Sequence, residues 1–341
     1  MKKKLPARVY QKHGAYYYFA RPEEKQLWDG KTWFRLDADY THAMAVYRER
    51  MTKTKMRPST FGYLVEDWIK EHVDNPVKVR PATSRSYHAA LKNLRPVFDR
   101  VDVENISRKH VRQYYDLRKA KSHTNAQREI EVIRAFLNWC VDMEHIEFNP
   151  ANKLKFAKPA PRERYVDDAE VEQFLRTAGP LLNVYVPLKI YTGARKNDLL
   201  SLTHKDWTEE GLFVGDRKSF RVNTGRRSRG RIFAWTPDLA ELMESVLRQA
   251  GNTFLFSTKD DLPYINFEQD TTYSFDSIWQ RAKQRAVKAG MENPFQERDL
   301  RAKAATDSET LEEARAILGH STTLMTRTVY RRKPEIVKKA G

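Results

Sequence analysis

Apolar residues recur at helical spacing through the middle of this 341-residue chain. The clearest stretch covers residues 124–143, where one face carries Ile130, Ile133, Phe136, Leu137 and Val141. Because residues three and four apart lie on one side of an α-helix, this stripe predicts an amphipathic helix packed on others. Similar stripes around Phe61, Tyr87 and Val111 predict a bundle of four helices over residues 58–150.

The flanks of this block have other compositions. Residues 1–57 are basic and aromatic, and their β-prone runs are interrupted at Gly14 and Gly30. They predict a three-stranded sheet and a helix over residues 40–51. So small a fold must bury about half of its aromatic side chains, and a basic aromatic face suits contact with a DNA groove. Residues 151–164, rich in Pro and Lys, are typical of a linker.

Residues 165–341 form a third block, in which helical patterns again dominate. Two β-prone runs, 212–214 and 231–235, frame a basic turn region. The expected fold class is therefore mainly α with small β elements. The domain boundaries that we expect are 1–57, 58–150, the linker 151–164, and 165–341.

The chain is strongly basic. Lys and Arg total 62 against 45 acidic residues, which gives a formal charge of +17 and a pI near 9.7. Such an excess attracts polyanions, among which nucleic acid is the commonest partner. From charge alone, a solubilising surface, a ribosome-associated protein and a membrane-surface protein remain alternatives.

Cysteine and histidine usage narrows the chemistry. Cys140 is the only cysteine, which excludes an intramolecular disulfide and a thiolate metal cluster and fits a reducing compartment. The histidines show no metal-ligand spacing, so we expect no metal site. No apolar run reaches the length of a membrane span, and no signal peptide follows the N-terminal lysines, so we expect a cytoplasmic protein.

The third block holds residues that could cleave a phosphodiester without a metal. That reaction needs a nucleophilic hydroxyl, cations that stabilise the charged transition state and a proton donor for the leaving oxygen. Arginine pairs suit the second task, because guanidiniums bind phosphate oxygens bidentately. The candidates are Arg195 in the first turn of a helix, Arg298 and Arg301 on one helix face, His320 in a turn after Gly319, and Tyr330 ten residues further on.

Four segments in this order resemble the tyrosine recombinases, and specifically the phage integrases. They are Thr-Gly-Ala-Arg-Lys-Asn-Asp-Leu-Leu-Ser-Leu around Arg195, Asp-Leu-Arg-Ala-Lys around Arg301, Leu-Gly-His-Ser around His320 and Val-Tyr-Arg-Arg at Tyr330. Each is weak alone, and their order along the block makes the signal specific. The resemblance implies that Arg195 and Arg301 clamp the scissile phosphate while His320 contacts a non-bridging oxygen. Tyr330 would attack the phosphorus, giving a 3′-phosphotyrosine and a free 5′ hydroxyl. No metal or high-energy cofactor would be needed, because the covalent link conserves the bond energy for rejoining.

Two departures from the family pattern affect individual roles. The family places a lysine on a β-hairpin, and we assign that position to Lys218 rather than to a hairpin arginine, although Asn223-Thr224-Gly225 replaces the usual Lys-Thr-Gly. Arg298 stands where the family usually has histidine, and an arginine cannot accept a proton from Tyr330.

The resemblance also implies an architecture and partners. Residues 165–341 would be the mixed α/β catalytic domain, 58–150 the core-binding domain, and 1–57 an arm-type or accessory DNA-binding domain. The partners would be double-stranded DNA at attachment sites and other copies of the chain in a tetramer, together with a host DNA-bending protein and an excisionase. The expected setting is viral genome integration at the nucleoid of a bacterial host.

Simpler interpretations stand beside these. Tyr330 alone could be a packing residue, Arg195 could pair with Asp198, and His320 could merely follow a helix end. The helical spacing of Tyr273, Phe275 and Trp279 indicates that they are core residues rather than platforms on which bases stack. As functions, a type IB topoisomerase and a decayed integrase that regulates by binding DNA are the alternatives.

Overall fold

The computed structural model describes residues 5–55, 58–157, 159–160, 162–216, 230–330 and 332. The chain separates into two compact units, Met1–Pro159 and Ala160–Gly341, so the boundary falls inside the predicted linker. The described residues are mainly helical with small sheets, which confirms the predicted fold class at that level. The finer division of the first unit into 1–57 and 58–150 stays a prediction.

The N-terminal part of the first unit is a three-stranded antiparallel sheet with one long helix. Its strands are β1 (Val9–Lys12), β2 (Ala15–Phe19) and β3 (Trp33–Asp37), and α1 (Tyr40–Lys55) follows. Tyr18 and Trp28 are fully buried and stack at 4.2 Å between ring centres. Tyr10 and Trp33 remain exposed, with Lys12 over the Trp33 ring. The aromatic side chains are thus shared between core and surface.

Helices build the rest of the first unit. They are α2 (Phe61–Trp68), a π-helix (Ile69–Val73), α3 (Pro81–Phe98), α4 (Arg108–Lys121) and α5 (His123–Asp142). The predicted stripe of α5 faces the core, where Ile130, Ile133, Phe136 and Leu137 are fully buried and Val141 is half-buried. Burial of this face is what holds α5 against its neighbours.

A carboxylate also lies inside this bundle. Glu129 of α5 accepts hydrogen bonds from Arg118 at 2.6 and 2.7 Å, from the Tyr114 hydroxyl at 2.8 Å and from Asn93 at 2.9 Å. A buried charge is tolerated when it is paired and fully hydrogen-bonded. Burial, and then the hydrogen bond to Glu129, raises the pKa of Tyr114. The cluster therefore fixes α3, α4 and α5 to one another.

The second unit contains the following elements in chain order: α6 (Asp168–Ala178), α7 (Pro180–Thr192), α8 (Lys196–Leu200), β4 (Gly211–Gly215), β5 (Gly230–Ala234), α9 (Pro237–Leu247), α10 (Tyr273–Lys288), α11 (Glu297–Asp307), α12 (Leu311–Leu318), α13 (Thr323–Met325) and a π-helix (Thr326–Tyr330). β4 and β5 pair antiparallel, from Gly211 opposite Ala234 to Gly215 opposite Gly230. Across the described ranges, every helix is too short or too polar to cross a membrane.

Helix α10 corrects one expectation. Phe275 and Trp279 are buried as predicted, but Tyr273 is 65% exposed, so its assignment to the core was wrong. Tyr273 begins the helix and precedes Phe275 by two residues. Positions two apart lie far around the helix from each other, so both cannot face the same core.

A buried ion pair connects α7 to α11. Lys189 and Glu297 lie 2.6 Å apart, and the Tyr185 hydroxyl donates to the same carboxylate at 2.7 Å. Burial lowers the pKa of Lys189, and the charge of Glu297 opposes that shift. The pair sets the position of α11 against α7, and these two helices lead to the site described below.

We expect Glu129→Ala to destabilise the first unit by about 3 kcal/mol, because it leaves the charge of Arg118 and two further polar groups without their acceptor. Glu131→Ala is the matched control, since Glu131 lies exposed on the same helix, and should cost under about 0.5 kcal/mol. Urea unfolding followed by circular dichroism measures both. Equal costs for the two variants would contradict the role assigned to Glu129.

Candidate active site

Arg195 lies at the start of α8. It is the residue before the first turn, one position earlier than predicted, with extended backbone angles. Its Nη1 lies 2.9 Å from an Asp216 carboxylate oxygen and 3.8 Å from Asp198. The side chain is 33% exposed, so it remains open to a further anion. The ion pair with Asp198 considered as an alternative is therefore present but long.

Arg301 of α11 is almost fully buried and is held by main-chain carbonyls. Nη1 donates to the Gly193 oxygen, and Nη2 donates to the Leu318 oxygen at 2.8 Å. Nη2 also lies 3.3 Å from His320 Nε2. Burial lowers the pKa of Arg301, while Tyr330 opposes that shift and the charge of Arg195 adds to it. One guanidinium thus touches the segments that carry Arg195 and His320.

Gly193 permits this approach. It ends α7 with φ of 55°, in the left-handed region that glycine adopts without strain. A Cβ at this position would lie 2.9 Å from the Ile317 side chain and 3.0 Å from Leu318. The loop before Arg195 can therefore pack directly on α12 only because residue 193 has no side chain.

His320 follows the left-handed Gly319 that ends α12, as the sequence predicted. The imidazole is buried, and its Nδ1 lies 2.9 Å from the Thr326 hydroxyl oxygen. Burial, and then the positive charges of Arg301, Arg195 and Arg231, lowers the pKa of His320 to about 4. The ring is therefore neutral near pH 7 and can donate one hydrogen bond and accept another.

Tyr330 ends the π-helix beside these groups. Its ring centre lies 5.4 Å from the Arg301 guanidinium carbon and 5.0 Å from the centre of the His320 ring. The ring also packs on the small apolar cluster of Ala305, Ala314 and Leu318. Arg301, His320 and Tyr330, separated along the chain, thus share one site.

The segment around Tyr330 is anchored to α11. The Thr306 hydroxyl oxygen lies 2.9 Å from the Tyr330 carbonyl oxygen and accepts from the Arg332 amide at 3.1 Å. The Arg332 guanidinium pairs at 3.0 Å with Asp299, whose side chain is fully buried. Arg162 pairs with the same carboxylate at 3.1 Å. These contacts hold Tyr330 beside the Arg301 of its own chain.

Of the other predicted site residues, Arg298 does not join this group and Lys218 cannot be compared with it. Arg298 lies exposed on the first turn of α11, whereas Arg301, on the next turn, is buried. Lys218 lies outside the described residues. Within the described ranges, no group of three or more His, Cys, Asp and Glu side chains is placed to hold a metal ion.

The structure adds residues that sequence reasoning missed. Arg231 on β5 contributes positive charge to His320, Asp216 pairs with Arg195, and Thr326 contacts the imidazole. Asp216 and Arg231 flank the basic turn region of the hairpin, and this position in the sequence could have identified them as candidate site residues. Nothing in the spacing of Thr326 distinguishes it from neighbouring threonines.

Comparison with known proteins identifies the fold. No protein-family model matches the chain, and no curated protein sequence does. A structure of a lambda integrase dimer bound to a core site (residues 75–356) has a TM-score of 0.68, with 15% identity over 83% of this chain and 99% of that one. A lambda integrase tetramer on a Holliday junction has a TM-score of 0.66, with 16% identity over 100% and 99%.

The Tn1549 transposon integrase in complex with circular intermediate DNA has a TM-score of 0.59, with 16% identity over 78% of this chain and 94% of that one. The chain therefore has the fold of the tyrosine recombinases, which confirms the resemblance at the level of the fold.

The neutral, buried imidazole predicts a pH-dependent stability. The pKa of His320 falls from 6.5 to about 4 on folding, so between these values the unfolded chain binds more protons. Its contribution to stability is thus present above pH 6.5 and decreases as the pH falls toward 4. In urea unfolding at pH 7.5 and 5, His320→Gln should lose less stability on acidification than the unsubstituted protein. An equal loss in both would contradict the assignment.

Proposed function

We propose that this chain is a site-specific DNA recombinase, a phage or prophage integrase, that cleaves and rejoins DNA through Tyr330. The observation that carries the proposal is the position of the Tyr330 ring, 5.4 Å from the buried Arg301 guanidinium and 5.0 Å from the His320 ring. A phenol beside a buried cation and a neutral imidazole suits attack on a phosphate. The fold, shared with integrases solved on DNA, supports it.

In the proposed reaction the Tyr330 oxygen forms a bond to phosphorus and the bond to the 5′ oxygen breaks. Arg195 and Arg301 stabilise the charge on the non-bridging oxygens, a task for which donors fixed before the reaction are effective. A proton passes to the leaving 5′ oxygen, and Lys218 is the proposed donor. The phenolic proton leaves to water or another group, since Arg298 cannot accept it.

His320 can change hydrogen-bond partners without changing charge. In the observed arrangement Arg301 only donates, so Nε2 accepts and Nδ1 donates to Thr326. A hydroxyl can also donate, so a rotated Thr326 would donate to Nδ1 and leave the proton on Nε2. Nε2 could then donate to a non-bridging oxygen of the bound phosphate. Thr326 is thus the proposed positioning residue for that tautomer.

The partners follow from the same proposal. Double-stranded DNA at attachment sites would be the substrate, with residues 1–57 contacting accessory sites and residues 58–150 the core site. Four copies would assemble on two sites, and lambda integrase has been solved as a tetramer on a Holliday junction. A host DNA-bending protein and an excisionase are further proposed partners. The proposed location is the cytoplasm of a bacterial host, at the nucleoid.

Covalent capture tests the nucleophile. The full chain is incubated with sheared, nicked genomic DNA of the host, and DNA that stays bound to protein in hot detergent is sequenced. The unsubstituted protein should yield adducts at discrete positions. Tyr330→Phe should yield none, because it retains the ring but has no attacking oxygen. Tyr273→Phe is the control, since Tyr273 is an exposed tyrosine of the same unit.

The outcomes also separate the alternatives. If the unsubstituted protein and Tyr330→Phe both bind DNA and neither forms an adduct, the chain is a DNA-binding regulator that has lost its catalytic activity. If adducts form but a pair of captured sites yields relaxed topoisomers and no recombinant products, the activity is that of a type IB topoisomerase. Recombinant products between the two sites support the integrase.

Arg195→Ala should slow adduct formation at a captured site by about 100-fold or more, because it removes a donor to the transition state. DNA affinity should change by only a few-fold, since one phosphate contact among many is lost. Arg281→Ala is the matched control, because Arg281 is an exposed arginine on α10. Single-turnover cleavage and filter binding measure the two quantities. Equal cleavage by both variants would remove Arg195 from the reaction.

A further inference from the structure

Arg231 connects the hairpin to the turn that carries His320. It lies on β5 opposite Val214, and its Nη1 donates to the Ile317 carbonyl oxygen at 2.5 Å. A Cβ on Gly319 would lie 2.8 Å from the same nitrogen, so the guanidinium packs on the Gly319 backbone. The residue after Gly319 is His320. Arg231 therefore reaches the site from a strand that supplies none of the predicted site residues.

The second terminal nitrogen of Arg231, Nη2, takes no part in the contact with Ile317. Within the described part of the chain, Nη2 is buried and has no hydrogen-bond partner. A buried donor of a charged group without an acceptor is costly, and a catalytic role or a bound ion is among the explanations for such a donor. Lys189, which is buried more deeply in the same unit, has a carboxylate partner at 2.6 Å. Arg164, Arg301 and Arg332 of this unit also each have one buried guanidinium nitrogen without a partner among the described residues, and of these Arg301 belongs to the same site as Arg231.

Positive charge gathers around Arg231. Burial, and then the charge of Arg301, lowers its pKa to about 10, and Arg195 acts in the same direction. The nearby carboxylates, Asp198 and Asp216, oppose the shift, and both lie within 4 Å of Arg195. The group that Arg231 is observed to bind is a carbonyl, which leaves its full charge in place. Such a concentration of cations favours a ligand with more than one negative oxygen.

We propose that Arg231 is a third phosphate-binding arginine, whose Nη2 donates to a non-bridging oxygen of the scissile phosphate. This inference rests on the function proposed above and adds a contact to it. Attack by Tyr330 concentrates negative charge on those oxygens, so a donor already fixed by Ile317 stabilises the transition state without reorganising. Lysine at this position would keep the charge and lose the second donor that the guanidinium geometry supplies.

The test compares two substrates with each protein. One is a nicked duplex of a captured site, and the other is the same duplex with a neutral methylphosphonate at the scissile position. Arg231→Gln should slow adduct formation about 100-fold on the phosphate. On the methylphosphonate, which lacks the charge to be stabilised, the loss should be under about 5-fold. Arg231→Lys should fall between Arg231→Gln and the unsubstituted protein on the phosphate.

The ratio of the two rates is read within one protein preparation, so partial unfolding lowers both rates and leaves the ratio unchanged. Arg281→Gln, which removes an exposed arginine, should leave both rates unchanged. Equal losses on the two substrates, or no loss on either, would overturn the phosphate contact. If the unsubstituted protein forms no adduct on either duplex, the proposed function fails first and the role of Arg231 falls with it.

Discussion

The site depends on how one buried guanidinium is held. Arg301 donates to the carbonyl of Gly193, which caps α7, and to that of Leu318, the last residue of α12. Carbonyls at helix C-termini lack partners within their helix and carry partial negative charge. They can therefore hold a cation in the interior without a carboxylate. The positive charge of Arg301 is fixed in place and is not cancelled by a full negative charge.

Arg231 is held in the same manner by the Ile317 carbonyl, also at the end of α12. The two helix ends thus collect positive charge around His320, and burial, together with this charge, lowers the pKa of the ring and keeps it neutral. The observed carboxylate partner of Arg195 at 2.9 Å, Asp216, belongs to the segment that follows β4. A site built this way is electrostatically incomplete until an anion enters, and a phosphate supplies that anion in the proposed reaction.

The segment that carries Tyr330 is held differently, by ion pairs with a carboxylate and by hydrogen bonds to a hydroxyl. Asp299 accepts from Arg162 and Arg332, and Thr306 contacts the main chain on both sides of Arg331. All of these contacts involve α11, the helix that also carries Arg301. One helix therefore positions both Arg301 and the segment of Tyr330, so their separation is set by a rigid element and not by a loop.

The sequence by itself determined which segments are helical, where the hairpin strands lie and which residues could carry the chemistry, because periodicity and helix-ending glycines are local properties. The spacing of residues along a helix could not decide which individual side chains are buried. Arg298 is exposed although it lies three residues before the buried Arg301 on the same helix, since the boundary between core and solvent is set by neighbouring elements.

Only the tertiary structure brought Arg231 and Thr326 to the imidazole and left Nη2 of Arg231 without a hydrogen-bond partner among the described residues. Those relations join residues far apart in the chain, and burial and charge act through space.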